Sequence, residues 1–286
     1  MRLARLAAAC VLAVPALAHA AGAPLVLVVC APGYPGSTAE AQPTLDAFAA
    51  AASEAAGWPR GRLAAVYHET EQGGLERIRK PDAAFALVPL PFLLEHGVAL
   101  KLAPRLASVQ KGGEASEVWS LVARKGRVTG PASLAGWQVA SLAGYAPGFV
   151  RGALGPFGRL PESAKVVQTG QVLSFLRRAA SGEDVALLLD RSQAEALPSL
   201  PFAGDLEVVA RSAPLPGALF CAVGKRASPA DSKALAAGLL RLKGVPAGAA
   251  ALDGIRLAGF APLDETGLAA ARRLAGPGGP PGGKGR

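Results

Sequence analysis

Short apolar runs of strand length alternate with stretches of helical period along almost the whole chain. In the first half, strands are predicted at residues 25–31, 62–67 and 83–88, with helices after them. A second series begins with a strand at 137–142, continues with strands at 165–168 and 185–189, and again has helices between them. This alternation is typical of parallel strands joined by helical crossovers, and it therefore predicts an α/β fold.

The two series of elements predict two lobes, each a mostly parallel sheet flanked by helices. Two crossing strands near 117–124 and 206–223 are expected to join the lobes. The remainder of the chain after residue 223 is predicted to be helical, from 229 to 242 and from 263 to 274. The predicted organisation is a signal peptide (1–20), a first lobe built from 21–118 and 219–275, a second lobe (119–218), and a disordered tail of Gly, Pro and basic residues (276–286).

The first twenty residues have the three parts of a secretory signal peptide. Arg2 and Arg5 form a basic start, residues 6–17 are apolar, and Ala18-His19-Ala20 is a small-residue cleavage site. The apolar run is too short to cross a bilayer of about 30 Å as a helix. Cleavage after Ala20 predicts a periplasmic protein without membrane insertion, and a lipid on Cys10 is the alternative. We also expect the protein to be a monomer.

The charge of the chain favours small anions over nucleic acid. The formal net charge is +9, and loss of Arg2 and Arg5 with the signal peptide lowers it to +7, which raises the local concentration of anions. The basic residues are scattered and aromatic residues make up 5%, so no basic stripe with stacking aromatics predicts a nucleic-acid partner.

Cys30 and Cys221 lie in apolar runs that favour buried free thiols, with a disulfide as the alternative.

Motifs for catalysis and for metal binding are missing from the sequence. It contains no Gly-x-Ser-x-Gly, His-x-x-x-His or Cys-x-x-Cys segment. Gly278, Gly283 and Lys284 have the spacing of a phosphate loop, but Gly285 follows where Ser or Thr is needed, and no strand precedes them. The sequence therefore predicts neither an enzyme nor a cofactor or metal site.

Ligands of open α/β sheets bind at the carboxyl ends of the strands, and the residues that follow predicted strands are the candidates here. Gly36-Ser37-Thr38 opens a helix whose free N–H groups suit an anion, with a capping box of Ser37 and Glu40 as the alternative. Asp190 follows the strand at 185–189 directly, with plain helix capping as the alternative. The candidate ligand-binding residues are Tyr34, Gly36, Ser37, Thr38, Pro89, Ser141, Gly144, Tyr145, Thr169 and Asp190.

Several short segments occur in a fixed order along the chain: Tyr34-Pro35-Gly36, Thr70 with Gly74-Leu75, residues 81–89, residues 119–126, Leu134-Ala135-Gly136, Asp190, and residues 259–264. In this order they resemble the phosphate, phosphite and phosphonate-binding family of ABC transporter substrate-binding proteins. The resemblance covers about residues 24–274. It implies a two-lobed type 2 periplasmic binding protein fold that captures a small phosphate-like or phosphonate-like anion between its lobes and delivers it to an ABC transporter permease.

One segment departs from this family. Family members usually offer Ser and Thr hydroxyls after the first strand of the second lobe, whereas residues 143–148 here supply one phenol, from Tyr145, and backbone amides. Another small acid therefore remains open as the ligand. Two alternative functions also remain open, an enzyme on the same scaffold and an envelope sensor or interaction protein without a role in transport.

Overall fold

The computed structural model describes residues 23–34, 36–112 and 115–276. The strands are β1 (Leu25–Cys30), β2 (Leu63–His68), β3 (Ala83–Pro89), β4 (Leu102–Gln110), β5 (Ser116–Glu117), β6 (Ser120–Arg124), β7 (Gln138–Ser141), β8 (Lys165–Gln168), β9 (Val185–Leu189), β10 (Leu206–Arg211), β11 (Leu215–Pro216), β12 (Ala218–Val223) and β13 (Leu257–Pro262). The helices are α1 (Thr38–Ala55), α2 (Glu71–Arg79), α3 (Leu90–His96), α4 (Pro147–Gly152), α5 (Val172–Ser181), α6 (Arg191–Ala196), α7 (Pro229–Arg241), α8 (Gly248–Gly254) and α9 (Glu265–Ala275).

The strands form two main sheets, which we call the first sheet and the second sheet. The first sheet has the order β13-β4-β12-β3-β1-β2, with β1 parallel to both β2 and β3 and with β12 antiparallel to its two neighbours. The second sheet has the order β10-β6-β9-β7-β8, with β7 parallel to β8 and β9. A short antiparallel pair, β5 with β11, lies where the chain passes between the sheets.

Apolar residues at helical spacing fix the position of α1 against the first sheet. Leu45, Phe48 and Ala52 are buried in one cluster with the ring of Phe85 on β3, and Phe85 stacks on Phe220 of β12 with ring centroids 5.3 Å apart. Gly57 follows α1 with a φ of +71°, a left-handed conformation that favours glycine and ends the helix. The loop between β1 and α1 is thereby held at the carboxyl edge of the first sheet.

Two strands were not expected from the sequence. β4 contains Pro104, and β13 contains Gly259 and ends at Pro262, so both lack the β-branched runs that identify strands. The prediction that the chain is helical after residue 223 is therefore wrong at 257–262. Since β12 and β13 are antiparallel to their neighbours and β6 pairs antiparallel with both β9 and β10, the two sheets are mixed.

The last helix packs against a helix that belongs to the other sheet. α9 follows β13 of the first sheet directly, yet its end lies on α4, which follows β7 of the second sheet. Glycines allow the close approach: a Cβ built on Gly148 would lie 2.8 Å from the Ala275 carbonyl oxygen, and one on Gly152 would overlap the Leu274 carbonyl. The two sheets are therefore linked by α9 as well as by the β5–β11 pair.

Two of the sequence predictions concern segments that the structure leaves undescribed. The signal peptide at 1–20 and the tail lie outside the described residues, apart from Gly276 at the start of the tail. Both remain predictions.

Candidate functional site

Loops at the carboxyl ends of strands from both sheets meet at one place, which we call the intersheet junction. Gly33, after β1, has a φ of +82°, and a Cβ built on it would lie 2.7 Å from Leu142 Cδ2, just after β7. A Cβ built on Gly170, after β8, would lie 3.5 Å from the Gly33 carbonyl oxygen. The first sheet and the second sheet are thus in contact at the edge where ligands bind in open α/β folds.

A hydrogen bond joins two of the candidate residues across this junction. The Tyr34 hydroxyl donates to Asp190 Oδ2 at 2.6 Å. Asp190 is only 1% exposed, and its other oxygen, Oδ1, accepts the Gln193 N–H and the Ser192 hydroxyl, each at 2.8 Å. Together with the return bond from the Asp190 N–H to the Gln193 side chain, these contacts form a capping box on α6. Asp190 therefore caps a helix with one oxygen and faces the first sheet with the other.

Glu117 lies beside Asp190 and was missed by the sequence reasoning. It ends β5, and its Oε1 accepts the backbone N–H of Arg191 at 3.3 Å, one residue after Asp190. Burial, with a further contribution from the charge of Asp190, raises the pKa of the Glu117 carboxyl to about 7. The available signal was a carboxylate at the start of a predicted crossing strand, but only the fold brings it to Asp190.

Tyr34 is held in its neutral form by the same surroundings. Burial of the hydroxyl raises the pKa of Tyr34, and the nearby charges of Asp190 and Glu117 raise it further. The residue as a whole remains 37% exposed, so it lies at the rim of the junction with its hydroxyl turned inward to Asp190. The phenol is therefore a hydrogen-bond donor to Asp190 over the whole physiological pH range.

Glu117→Gln is expected to stabilise the protein at alkaline pH. Because the pKa of Glu117 rises from 4.5 to about 7 on folding, the folded state holds a proton that the unfolded chain has already released in this window. The contribution of this group is therefore most favourable at low pH and is lost as the pH rises through 7. The variant should match the wild type near pH 4 and exceed it by up to about 3 kcal/mol at pH 8, at about 1.4 kcal/mol per pKa unit.

Chemical denaturation at several pH values measures this difference, with the exposed Glu54→Gln as the matched control. Equal unfolding free energies for Glu117→Gln and wild type at both pH 4 and pH 8 would mean that Glu117 is solvated and does not sense Asp190.

Hydroxyls after the first strand of the chain are engaged within their own sheet. Ser37 forms the capping box with Glu40 that was the structural alternative: the Glu40 N–H donates to Ser37 Oγ at 3.3 Å, and the Ser37 N–H donates to Glu40 Oε2 at 2.8 Å. The Thr38 hydroxyl donates to the Tyr67 carbonyl at 2.8 Å. Gly36 has a φ of +107° and open space around its Cα, consistent with a turn before α1.

Hydroxyls in the second sheet are also partly committed. The Ser141 hydroxyl donates to the Leu188 carbonyl at 2.7 Å and accepts the Ala143 N–H at 3.1 Å. Thr169 Oγ1 accepts the Gln171 N–H at 2.9 Å, and Thr169 is 8% exposed. The Ser141 hydroxyl therefore already uses its hydrogen as a donor to the backbone. The Thr169 hydroxyl acts only as an acceptor in its bond to Gln171.

Three further candidates lie around the junction without a charged group of their own. Gly144 packs on the backbone of Gln168, beside Thr169, so closely that a Cβ would overlap it. Tyr145 contacts the first sheet through α3, its ring lying edge-on to Phe92 with centroids 6.4 Å apart, and burial raises the pKa of its hydroxyl. Pro89 pairs in register with Ala218 and directly precedes α3.

Both cysteines are buried and free, as the sequence favoured, and the alternative of a disulfide is wrong. β3 lies between β1, which carries Cys30, and β12, which carries Cys221, so a whole strand separates the two residues. Burial raises the pKa of each thiol to about 12, which leaves the reactive thiolate unpopulated at neutral pH.

The described part of the chain has no cluster of three or more His, Cys, Asp or Glu residues placed to hold a metal ion. Within 23–34, 36–112 and 115–276, no single helix has the length and apolar composition of a membrane span. Pro229–Gly244 and Gly248–Gly254, which meet at a 98° bend, reach that length and composition only as a pair. A surface cavity of about 330 Å³ opens beside the β5–β11 pair, lined by Ala107, Ser116, Leu215, Pro262 and Asp264 among others.

Comparisons with known proteins give the fold and the family. Residues 96–268 match a family model described as the periplasmic substrate-binding protein of a phosphonate ABC transporter. A protein of Xanthomonas citri solved with a bound chloride ion has a TM-score of 0.68 at 19% identity, covering 88% of this chain and 97% of that one. No curated protein matches the chain by sequence.

Two solved structures carry phosphonate descriptions. The binding protein component of an ABC phosphonate transporter from Pseudomonas aeruginosa has a TM-score of 0.59 at 15% identity, covering 88% of this chain and 85% of that one. PhnD1 from Prochlorococcus marinus, in complex with methylphosphonate, has a TM-score of 0.57 at 14% identity, with 88% and 97% covered. At these identities the likeness establishes the type 2 periplasmic binding protein fold expected from the sequence. With the family model matching more than half of its length, the chain belongs to the phosphonate-binding family of periplasmic ABC transporter substrate-binding proteins.

Proposed function

We propose that this protein captures a small acid that also carries a cationic donor, such as an amine-bearing phosphonate, and delivers it to an ABC transporter. The observation that carries the proposal is the position of Asp190, a buried carboxylate at the intersheet junction that keeps one oxygen directed toward the opposite sheet. A family that binds phosphonates supplies the acid half of the ligand, and Asp190 supplies a partner for the donor half.

The carboxylates at the junction argue against a fully ionised anion as the ligand. Glu117 and Asp190 are close enough for the charge of Asp190 to raise the pKa of Glu117. A bare anion would add a further negative group beside Asp190 and a partly ionised Glu117, and it would be repelled unless it brought a proton or a cation. An ammonium group satisfies this requirement, and Thr169, Tyr145 and the backbone amides after β7 and β8 are the proposed partners of the acid group.

Capture without chemistry is the proposed activity of this junction. Both oxygens of Asp190 accept hydrogen bonds. We therefore assign Asp190 the role of a hydrogen-bond acceptor for the ligand and not that of a nucleophile or a general base. The proposed lobes, 21–118 with 219–275 and then 119–218, would close on the ligand by bending at the β5–β11 pair.

The remaining proposals concern location and partners. The basic start, apolar run and Ala18-His19-Ala20 support cleavage after Ala20 and release into the periplasm as a monomer without membrane insertion. The proposed partners are the small solute and a transporter permease, without nucleic acid, metal or cofactor.

Native mass spectrometry of the protein purified from its own periplasm tests this proposal. The expected result is a complex with one small molecule that contains both an acid and an amine, on a chain that begins at Ala21. Retention of residues 1–20 would contradict the proposed processing. Co-purification of inorganic phosphate or another amine-free anion would contradict the proposed role of Asp190.

A further inference from the structure

The loop that carries Tyr34 is anchored by backbone hydrogen bonds where it leaves β1. The Gly33 N–H donates to the Glu69 carbonyl at 3.0 Å, and the Tyr34 N–H closes a turn on the Ala31 carbonyl at 3.2 Å. Tyr34 is 37% exposed and is one of four large hydrophobic residues that are exposed in the described part of the chain. Because Tyr34 lies outside both β1 and α1, a rotation of its side chain would take the hydroxyl away from Asp190 while these backbone bonds stay in place.

The Tyr34 hydroxyl completes the hydrogen bonding of Asp190. Oδ1 already accepts two donors from α6, and Oδ2 accepts the phenol, on a residue that is 1% exposed. Oδ2 is the oxygen that faces the opposite sheet, so it is the one that a donor from a captured solute would approach. While the phenol is in place, Asp190 is shielded from that solute.

We propose that Tyr34 is an internal competitor for the ligand. In the ligand-free protein its hydroxyl occupies the place of the ligand donor on Asp190 and holds the two sheets together. This inference rests on the proposed role of Asp190 as the acceptor of a ligand donor. It assigns Tyr34 a different part from that of a ligand-binding group, because the side chain must move away before the ligand binds.

The competition determines which ligands bind. A hydrogen bond from an ammonium group to a carboxylate carries charge on both partners and is stronger than one from a neutral phenol. A cationic donor therefore displaces Tyr34, whereas a neutral hydroxyl offers little advantage over it. Only a donor stronger than the Tyr34 hydroxyl replaces it on Asp190, and this competition selects amine-bearing solutes.

The first arm of the test needs no ligand. Spin labels on cysteines introduced at the exposed positions Gln72 and Ser174 report the distance between the two sheets, since the native Cys30 and Cys221 are buried. In the ligand-free protein, Tyr34→Phe should lengthen and broaden the distance distribution. The control Tyr67→Phe removes a phenol that bonds only within the same sheet, at 3.5 Å to the Tyr34 carbonyl, and should leave the distribution unchanged. An unchanged distribution in Tyr34→Phe would overturn the proposal.

The second arm measures binding by calorimetry with aminomethylphosphonate and methylphosphonate, which differ only in the amine. Removing the competitor should tighten binding of aminomethylphosphonate to Tyr34→Phe by about 10-fold to 100-fold, the range for a hydrogen bond to a charged group. Weaker binding by the variant would make Tyr34 a ligand-binding group and overturn the proposal. If neither protein binds either compound, the proposed ligand class falls, while the label distances still decide whether the hydrogen bond from Tyr34 to Asp190 holds the sheets together.

Discussion

Asp190→Asn is expected to lower the affinity for an amine-bearing phosphonate by about 1.5–3 kcal/mol, the range for hydrogen bonds to charged groups. The amide keeps its oxygen for the cap of α6 and turns its NH2 group toward Tyr34, so it removes both the charge and the acceptor that an ammonium group requires. Loss of the charge should also reduce the repulsion of a fully ionised phosphonate. The affinity for aminomethylphosphonate should therefore fall while the affinity for methylphosphonate rises, and the difference between the two becomes smaller. Calorimetry with this pair of compounds measures the change.

The design separates binding from folding. Asn is about as favourable as Asp at the N-cap of a helix, so the unfolding free energy of the protein should change little. Glu195→Gln, an exposed change on the same helix, is the matched control and should leave both affinities as in the wild type. If Asp190→Asn shifts the unfolding free energy and leaves both affinities intact, Asp190 serves only as a helix cap and the proposed site fails.

Gly152→Ala is expected to destabilise the attachment of α9 by about 1–3 kcal/mol, the usual range for overpacking. In an ordinary helix this substitution is favourable, by up to about 1 kcal/mol. Here the added Cβ would overlap the Leu274 carbonyl, and that backbone atom cannot move aside as a flexible side chain would. The sign of the effect is therefore opposite to the one that helix propensity predicts.

Hydrogen exchange and chemical denaturation together localise this effect. Amides of α9 should exchange faster in Gly152→Ala, whereas those of β1 and β9 should be protected as in the wild type. Gly204→Ala is the control, because a Cβ at that position meets nothing within 4 Å. Wild-type exchange in α9 together with an unchanged unfolding free energy would show that α9 does not rest on α4.

Elements with a strong local pattern were predictable from the sequence. β8 and β9 have the predicted bounds, and β9 is a continuous apolar run whose five residues are all buried. β4 and β13 were not predictable, because Pro104, Gly259 and Pro262 interrupt their patterns and the neighbouring strands supply the pairing instead. Local propensity identifies strands that are apolar by themselves and misses those defined by their partners.

The candidate site shows the same division. Tyr34 and Asp190 both follow predicted strands, and the carboxyl-end rule was enough to select them. Glu117 follows no such strand; it lies on β5, between the sheets, where its carboxylate accepts the Arg191 N–H beside Asp190. Its raised pKa depends on burial and on a charge that lies 73 positions away in the chain, and no local pattern contains either.

The strand order of the first sheet also constrains the sequence of events during synthesis. β12 lies between β3 and β4, so residues 218–223 must emerge before the edge of β3 is covered. The second sheet uses only residues 120–211, one uninterrupted stretch. A growing chain appears from its N-terminus. The edge of β3 in the partial sheet of β1, β2 and β3 therefore stays unpaired until β12 appears, whereas the second sheet can form earlier. The chain is therefore most exposed to misassembly before residues 218–223 have appeared.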